Sequence, residues 1–368
     1  MSHQSSPQPS TAAKLDPNMR LADKDTAATT WHDPANLPFQ VVGFPWFAQE
    51  RVYRRLPKIP ADPIPPAVDK LANCCAGGQV RFQSDTGRVS VRVTLRETGG
   101  MDHIAATGES GCDLYINIAG QPRFYGVTRL DRTKQSYEVL LFEHQQRTLR
   151  AFTLNLPLYN GIQDLRIGLS PDALVTAPPP YAAAGRIVCY GTSITQGGCA
   201  ARAGMAYTNI LGRLLNREMV NLGFSGNGRG EPAVAKLVAG VPDPALFLID
   251  YDPNCPSAEH IEQTLPEFLR ILRSRHATVP ILVMSRVGYA HDLLQEGQCA
   301  ERNRRRDIQA RIVAEAQAKG DQQVCFLDGS KILGDDFEEC AVDGVHQTDL
   351  GFYRMAKGLE PVVRAMLQ

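Results

Sequence analysis

The chain has 368 residues, 43% of them hydrophobic, which is enough for two domains with buried cores. Lysine and arginine number 39, and so do aspartate and glutamate, so no net field would attract nucleic acid or an anionic membrane. No stretch reaches the roughly 20 apolar residues that a membrane helix requires. We therefore expect a small or neutral molecule as the partner, and the sequence indicates no oligomeric state.

The amino-terminal segment and the cysteines indicate in which cellular compartment we expect the protein. Residues 1–20 are rich in Ser, Pro, Gln and Ala without an apolar core segment, so we predict that 1–30 is a disordered tail rather than a signal peptide or membrane anchor. The nine cysteines include no Cys-x-x-Cys pair, which fits neither a zinc site nor a disulfide framework. We expect reduced cysteines and a cytoplasmic protein.

Residues 31–176 have the pattern of a β-sandwich. Val89, Val91, Val93 and Leu95 alternate with polar residues, which places one face of this strand in a core and the other in water. Short runs of this kind recur between Gly, Asp, Asn or Gln turns and show no helical period, which favours two packed sheets. The predicted strands are 79–83, 89–95, 113–118, 123–128, 137–142, 149–158 and 165–169.

The periodicity changes after residues 177–185, a Pro and Ala segment that we predict to be an extended linker. In 186–368, apolar runs alternate with helical patterns, which is typical of a three-layer α/β domain with a parallel sheet. An i, i+3, i+4 stripe over 207–215 predicts a surface helix between the first two runs. The predicted strands are 187–190, 220–224, 246–249, 281–284 and 324–327.

Ser193 follows the first of these strands, at the sheet edge that carries the chemistry in open α/β folds, and Gly191 permits the tight turn before it. Asp343 and His346 lie between the last strand and a helix expected to begin near residue 348, so their loop returns to the same edge. A carboxylate bonded to Nδ1 fixes the tautomer and leaves Nε2 to take the serine proton. Singly, each residue is more often a turn or cap residue. Together they predict a hydrolase.

Two further strand ends offer donors for a developing oxyanion. The backbone N–H of Gly226 and the side-chain amide of Asn254 would join the N–H of Ser193. The glycine-rich stretch 226–230 has an alternative interpretation as a phosphate cradle. It lacks the spacing of a P-loop and of a dinucleotide fingerprint, which favours the oxyanion interpretation.

These residues resemble the SGNH family of serine esterases, also called GDSL-like hydrolases, whose marked positions are a Ser, a Gly, an Asn and a His. Ser193, Gly226, Asn254 and His346 occur in the family's order. The segment 111–115, Gly-Cys-Asp-Leu-Tyr, is similar to the Gly-x-Asp-Leu-Tyr signature of a β-rich module that precedes certain SGNH domains. The resemblance extends over residues 31–368.

The resemblance implies a flavodoxin-like α/β/α hydrolase domain preceded by a jelly-roll-like sandwich. It further implies no metal, no organic cofactor, and a small acyl ester as substrate, often an acetyl group on a sugar. Thr192 departs from the family, whose Gly-Asp-Ser members carry Asp before the nucleophile. We predict a serine esterase in which Ser193 is the nucleophile, His346 the general base and then acid, and Asp343 the group that orients His346.

Other functions remain open at this point. One is a non-catalytic carbohydrate-binding protein with a decayed esterase site. Another is a lactonase or acyltransferase, since an acyl-enzyme can pass its acyl group to water or to another hydroxyl. The sandwich is either a cap that shapes the acyl pocket or an independent sugar-binding module with exposed aromatics such as Phe124 and Tyr125.

Overall fold

The computed structural model describes residues 14–21 and 28–368. The predicted tail lies largely outside these ranges; within it, Pro17–Met19 form a 3-10 helix and Thr30 begins the first strand. Among the described residues, no helix combines the length and apolarity needed to cross a membrane.

The amino-terminal half is a sandwich of two antiparallel sheets. Its strands are β1 (Thr30–His32), β2 (Gln40–Val42), β3 (Gln79–Ser84), β4 (Arg88–Leu95), β5 (Asp113–Ile118), β6 (Gln121–Val127), β7 (Ser136–Glu143), β8 (Arg150–Asn155), β9 (Ile162–Leu169) and β10 (Val175–Thr176). One sheet has the order β1-β9-β4-β7 and the other β10-β3-β8-β5-β6, with β2 also paired to β3. Val91 and Val93 of β4 pack into a core with Phe82 and Phe152 of the facing sheet. Three short helices accompany the sheets, α1 (Phe47–Glu50), α2 (Pro66–Leu71) and α3 (Ala106–Glu109).

All seven strands predicted for the sandwich are present, with ends that shift by a few residues. β1, β2 and β10 were not predicted, because two or three residues are too few to show a period. The expectation that the polar face of β4 lies in water is wrong at Ser90, which is fully buried. The pairing of β4 with β7 shifts register between Val89 and Ser90, and such an irregularity re-aims side chains.

The carboxyl-terminal half contains a five-stranded parallel sheet with the order β12-β11-β13-β14-β15. Its strands are β11 (Arg186–Gly191), β12 (Met219–Gly223), β13 (Pro244–Asp250), β14 (Ile281–Met284) and β15 (Val324–Leu327). Its helices are α4 (Ser193–Gln196), α5 (Tyr207–Leu215), α6 (Pro232–Ala239), α7 (Ala258–Arg275), α8 (Glu296–Ala318) and α9 (Asp349–Met366). The five predicted strands, the 207–215 helix and the helix near residue 348 are confirmed. The expectation that 207–215 is a surface helix is wrong, because seven of its nine residues are buried.

Helices cover both faces of this sheet. α6, α7 and α8 pack on one apolar face and α5 and α9 on the other, which gives the predicted three layers. The chain leaves β11 toward β12 on one side and then returns to β13 on the other, so the strand order reverses at β11. Ligand sites of open α/β sheets lie outside the carboxyl ends of the strands at such a reversal. The fold therefore predicts a ligand site at the loops after β11 and β13.

Residues 177–185 form no helix or strand and pass along the sandwich. Tyr181 stacks on Arg81, with the guanidinium carbon 3.8 Å from the ring centroid, and Arg81 Nη2 donates to the carbonyl of Pro179 at 2.8 Å. The assignment of this segment as a linker, and the domain bounds on either side of it, stay predictions.

The Gly-x-Asp-Leu-Tyr segment fastens the two halves to each other. Asp113 is fully buried, and its Oδ2 accepts from Arg202 Nη1 at 2.6 Å and from the N–H of Gly204 at 2.9 Å. Its Oδ1 accepts from Asn155 Nδ2 at 2.7 Å, and the Tyr115 hydroxyl accepts from Arg202 Nη1 at 2.8 Å. The acidic and aromatic residues of the signature thus hold the loop that lies after α4.

Candidate active site

Ser193 lies at the point where β11 ends and α4 begins, and its side chain is nearly buried. Gly191 is required here, because a Cβ would come within 2.1 Å of Thr195 Oγ1 and 2.5 Å of the Asp250 carbonyl oxygen. Thr192 is the N-cap of α4, and its hydroxyl accepts from the N–H of Ile194 at 3.3 Å. Thr is a favoured N-cap residue, as Asp is, so this position accepts either residue as a cap.

The structure brings Asp343, His346 and Ser193 into one hydrogen-bonded line. His346 Nδ1 lies 2.7 Å from Asp343 Oδ2, and His346 Nε2 lies 2.9 Å from Ser193 Oγ. Because an ionised carboxylate only accepts hydrogen bonds, Nδ1 carries the proton and Nε2 is left to accept from the serine hydroxyl. The loop between β15 and α9 therefore does return to the edge that holds Ser193, as predicted.

Asp343 is held in its charged form. Partial burial raises its pKa, but hydrogen bonds from the His346 ring and from the backbone N–H groups of His346 and Val345 outweigh burial and lower the pKa to about 2. The two backbone bonds to Oδ1 measure 2.7 Å and 3.0 Å. Asp343 is therefore both oriented and ionised at neutral pH.

Gly226 lies in the loop after β12, which is bonded to the serine segment. The N–H of Phe224 donates to the Gly191 carbonyl at 2.9 Å, and the N–H of Ser225 donates to Gln196 Oε1 at 3.1 Å. Gly226 has a φ of +68°, a left-handed conformation that favours glycine, and a Cβ built on it meets open space. A ligand therefore has room at Gly226, in a loop that is bonded to the segment carrying Ser193.

Asn254 ends the 3-10 helix Asp252–Asn254, which follows β13. Its Oδ1 accepts from the N–H of Gly228 at 3.2 Å, which fixes the orientation of the amide and leaves Nδ2 as the donor. This bond joins the loop after β13 to the loop after β12. The three predicted oxyanion donors therefore belong to neighbouring, mutually bonded loops.

The sandwich half forms part of the wall around Ser193, through residues that the sequence analysis did not name. The Tyr159 hydroxyl donates to the Ser193 carbonyl at 3.2 Å, and Gln196 Nε2 donates to the Leu158 carbonyl at 3.1 Å. The ring centroid of His103 lies 5.9 Å from that of His346. His103 and Tyr159 lie in loops without periodicity or motif, so no sequence signal marks them.

Arg55, another residue of the sandwich half, anchors the strand end before the Gly226 loop. Its fully buried guanidinium donates to the carbonyls of Gly223 at 2.5 Å and Asn221 at 3.3 Å, and lies over the Phe224 ring. Burial lowers the pKa of Arg55 to about 10. Nothing in the sequence marked this residue either.

Two buried carboxyl groups lie at the end of β13. Burial raises the pKa of Asp250 well above its usual range, and the neighbouring Asp252 raises it further. Asp250 Oδ2 accepts from Thr195 Oγ1 at 3.3 Å, and Asp252 Oδ2 accepts from Gln309 Nε2 at 2.6 Å. They lie behind the rim and support the loop that carries Asn254.

Comparisons with known proteins agree with this architecture. A model of the GDSL-like Lipase/Acylhydrolase family matches residues 184–364, and a model described as the N-terminus of Esterase_SGNH_hydro-type matches residues 29–175. No curated protein matches the chain.

Among solved structures, a Bacteroides ovatus protein classed as a GDSL-like lipase is 30% identical with a TM-score of 0.85, over 92% of this chain and 98% of that chain. A salicylyl-acyltransferase from a tetracycline biosynthetic pathway is 17% identical with a TM-score of 0.72, over 93% and 98% of the two chains. A family two carbohydrate esterase from Cellvibrio japonicus is 15% identical with a TM-score of 0.59, over 92% and 98%. The last two show the fold alone, whereas the first and the family models show that this chain belongs to the GDSL-like lipase/acylhydrolase family, as a carboxylic ester hydrolase of the SGNH type with an amino-terminal GxDLY module.

Proposed function

We propose that this esterase hydrolyses short-chain acyl esters, acetyl esters of carbohydrates in particular, through a Ser-His-Asp triad and an acyl-enzyme. The observation that carries the proposal is the continuous line from Asp343 through His346 to Ser193. The carbohydrate part is supported by the fold shared with a family two carbohydrate esterase and by a chain without net charge.

In the first step, Ser193 Oγ bonds to the ester carbonyl carbon while its proton passes to His346 Nε2. The carbonyl oxygen becomes an oxyanion that accepts from the N–H groups of Ser193 and Gly226 and from Asn254 Nδ2. Each such donor contributes about 2.7 to 4 kcal/mol to lowering the barrier. Asp343 stabilises the imidazolium that forms.

In the second step, the tetrahedral intermediate collapses and the alcohol leaves with the proton from His346. The acyl group now remains on Ser193. A water molecule then gives a proton to His346 and attacks the acyl carbon, which releases the carboxylic acid and returns the proton to Ser193. Apart from the ester and this water molecule, the side chains and backbone N–H groups named here supply every group that the two steps use.

Hydrolysis of nitrophenyl acetate tests the nucleophile. Ser193→Ala should lower kcat on the order of a millionfold. Ser274→Ala on α7 is the matched control, because its hydroxyl bonds only the Ile271 carbonyl of its own helix. A fluorophosphonate probe should label Ser193 in the wild type and leave the Ser193→Ala protein unlabelled. Turnover that survives in Ser193→Ala would point to another nucleophile.

A second candidate function is acyl transfer, favoured by the higher TM-score with the salicylyl-acyltransferase than with the carbohydrate esterase. Both reactions share the acyl-enzyme and differ in what attacks it. Product analysis with nitrophenyl acetate and added sugar separates them: free acetate supports hydrolysis, and acetylated sugar that rises with sugar concentration supports transfer. A screen of acetylated sugars and of esters with longer acyl chains then identifies the substrate.

If the protein is instead a non-catalytic carbohydrate-binding protein, the fluorophosphonate probe should not label Ser193. Inertness toward the fluorophosphonate, together with saccharide binding that survives Ser193→Ala, would favour this alternative.

We propose that the sandwich acts as a cap over the acyl pocket. His103 and Tyr159 of the sandwich reach the triad, whereas the exposed aromatics have structural partners: Phe124 lies under the Arg202 guanidinium at 3.7 Å, and Tyr125 packs edge-on against Phe142. His103→Ala should therefore change the ratio of kcat/KM for acetyl and butyryl esters, and Tyr125→Ala should not. Loss of saccharide binding in Tyr125→Ala with unchanged acyl preference in His103→Ala would instead support a sugar-binding module.

A further inference from the structure

Three metal-ligating side chains converge beside the proposed nucleophile. His103, Cys199 and His346 each offer a ligand atom, and these atoms all lie within 4.8 Å of one another. In a tetrahedral zinc site, bond lengths near 2.1 Å to nitrogen and 2.3 Å to sulfur place ligand atoms about 3.4 to 3.8 Å apart. Small rotations of the side chains therefore suffice to bring the three atoms to one ion.

The three residues come from three separate segments. His103 belongs to the sandwich loop between β4 and α3, Cys199 to the loop after α4, and His346 to the loop before α9. Two nitrogens and one sulfur form a ligand set suited to zinc and its neighbours in the transition series, and unsuited to magnesium or calcium.

Each histidine has a carboxylate on its other ring nitrogen. His103 Nδ1 lies 3.1 Å from Asp102 Oδ1, and His346 Nδ1 lies 2.7 Å from Asp343 Oδ2. Metal-bound histidines usually carry such a partner, which fixes the tautomer and presents Nε2 to the ion. Both rings are partly exposed, so an ion from solvent can reach them.

Cys199 has a backbone conformation that its residue type disfavours. Its φ is +75°, in the left-handed region that non-glycine residues rarely adopt, and the residue is only 8% exposed. The preceding Gly198 lies against the triad, since a Cβ there would be 3.1 Å from the Ser193 carbonyl oxygen and 3.5 Å from His346 Cδ2. A strained cysteine held against a catalytic centre is a reason to look for a role of its sulfur.

We propose that Zn²⁺ binds His103 Nε2, Cys199 Sγ and His346 Nε2, and that the bound ion reversibly inhibits the esterase. On binding, the Cys199 thiol loses its proton to solvent and forms the zinc–sulfur bond, while water fills the fourth position. His346 Nε2 gives up its hydrogen bond with Ser193 and can no longer take the serine proton. Zinc here is an inhibitor and plays no part in the ester chemistry.

Cobalt provides a direct readout of binding, because Co²⁺ occupies zinc sites and a thiolate ligand gives it an intense near-ultraviolet charge-transfer band. Titration of the wild-type protein with Co²⁺ should produce this band, and Zn²⁺ should displace it. Cys199→Ser should lose the band, whereas Cys299→Ser on α8 should keep it. Cys199→Gly is a second variant that removes the sulfur and suits the left-handed backbone, which guards against misfolding as an explanation. A wild type without the band, or a band that survives in both Cys199 variants, overturns the proposal.

Inhibition supplies the second readout. Zn²⁺ should inhibit nitrophenyl acetate hydrolysis, chelator should restore it, and Mg²⁺ should have no effect. Loss of an outer partner of a metal site typically costs 10–100-fold in affinity, so loss of the ligand in His103→Ala should raise the zinc inhibition constant at least about tenfold, measured against that variant's own activity. An unchanged constant overturns the inhibitory role.

The inhibitory part rests on the proposed function, whereas metal binding does not. Ser193→Ala keeps all three ligands and should bind Co²⁺ as the wild type does. If Ser193→Ala still hydrolyses the ester, the proposed function fails while the cobalt band stands. If Ser193→Ala is inactive and no cobalt band forms in either protein, only the zinc site fails.

Discussion

The two halves of the molecule contribute different kinds of residue to the rim at Ser193. The α/β half supplies accessible groups: the side chains of Asp343 and His346 are 37% and 27% exposed. The sandwich half supplies the fully buried Asp113 and Arg55, which bond to the backbone and to Arg202 of the other half. A side chain that reacts with substrate must be accessible to it. A side chain that holds two segments together forms stronger hydrogen bonds when it is buried away from water. Partners and exposure, rather than residue type, thus separate the two aspartates.

The largest expected effect is on activity, and it should differ between the two neighbouring histidines, His346 of the α/β half and His103 of the sandwich. His346→Ala should lower kcat on the order of a millionfold, because the triad residues act as a unit. His103→Ala, from the sandwich, should lower kcat/KM by no more than about a hundredfold, the scale of a misplaced substrate. Steady-state kinetics with nitrophenyl acetate checks both. Equal losses would mean that the sandwich supplies a reacting group.

Asp343 and Asp113 give the next largest effects, the first on kcat and the second on the free energy of unfolding. Asp343→Asn should lower kcat about ten-thousandfold, because the wrong tautomer of His346 is favoured, with little change in the free energy of unfolding. Asp113→Ala should lower the free energy of unfolding by about 3–5 kcal/mol, because Arg202 is left without its carboxylate, with little change in kcat of the folded protein. Urea unfolding and steady-state kinetics on both variants test this prediction. It is wrong if either variant changes both kcat and the free energy of unfolding substantially.

Asn254 tests the contribution of the loop after β13. Asn254→Asp keeps the acceptor for the Gly228 N–H but replaces the Nδ2 donor with a carboxylate oxygen whose charge opposes the oxyanion, so kcat should fall at least about 10²- to 10³-fold while KM changes little. Asn227→Asp, a neighbouring amide whose Nδ2 donates to the Ser225 carbonyl, is the control and should lower kcat less. A silent Asn254→Asp would remove this residue from the oxyanion site.

The smallest effect is the pH dependence of stability. The pKa of Asp343 is about 2 in the folded state, below its ordinary value near 4, so its contribution is present above pH 4 and is lost as the pH falls toward 2. After allowance for its partial exposure, the contribution is on the order of 1 kcal/mol. Urea unfolding between pH 2 and pH 5 should show a flatter acid limb for Asp343→Asn than for the wild type, and identical limbs would contradict the shift.

The positions of the proposed reacting groups were predictable, because strand ends and chain order determine where they lie. The apolar run before Ser193 marks a strand end, and the position of Asp343 and His346 before the terminal helix returns them to the same edge. Thr192 appeared as a departure from the family, and the structure places it at the N-cap of α4, where its hydroxyl accepts from the Ile194 N–H. The ends of the second and third parallel strands predicted Gly226 and Asn254 as donors, and the resemblance marked the same two positions.

The contacts between the halves were not predictable, because they depend on packing between distant segments. His103 and Tyr159 lie in loops, and Arg55 lies in the segment between α1 and α2, so none shows a period. Asp113 was visible as part of a signature, yet its bonds to Arg202 and Gly204 join residues about ninety positions apart. The same applies to the meeting of His103 with Cys199.

Arg55 has a consequence for how such proteins are truncated and recombined. A fragment that begins at residue 186 loses the donor to the carbonyls of Asn221 and Gly223, which lie at the root of the loop that carries Gly226. Directed evolution of that fragment should therefore select new Arg or Lys side chains near this root before it improves the rim itself. Gene shuffling that exchanges both halves as one cassette avoids the defect.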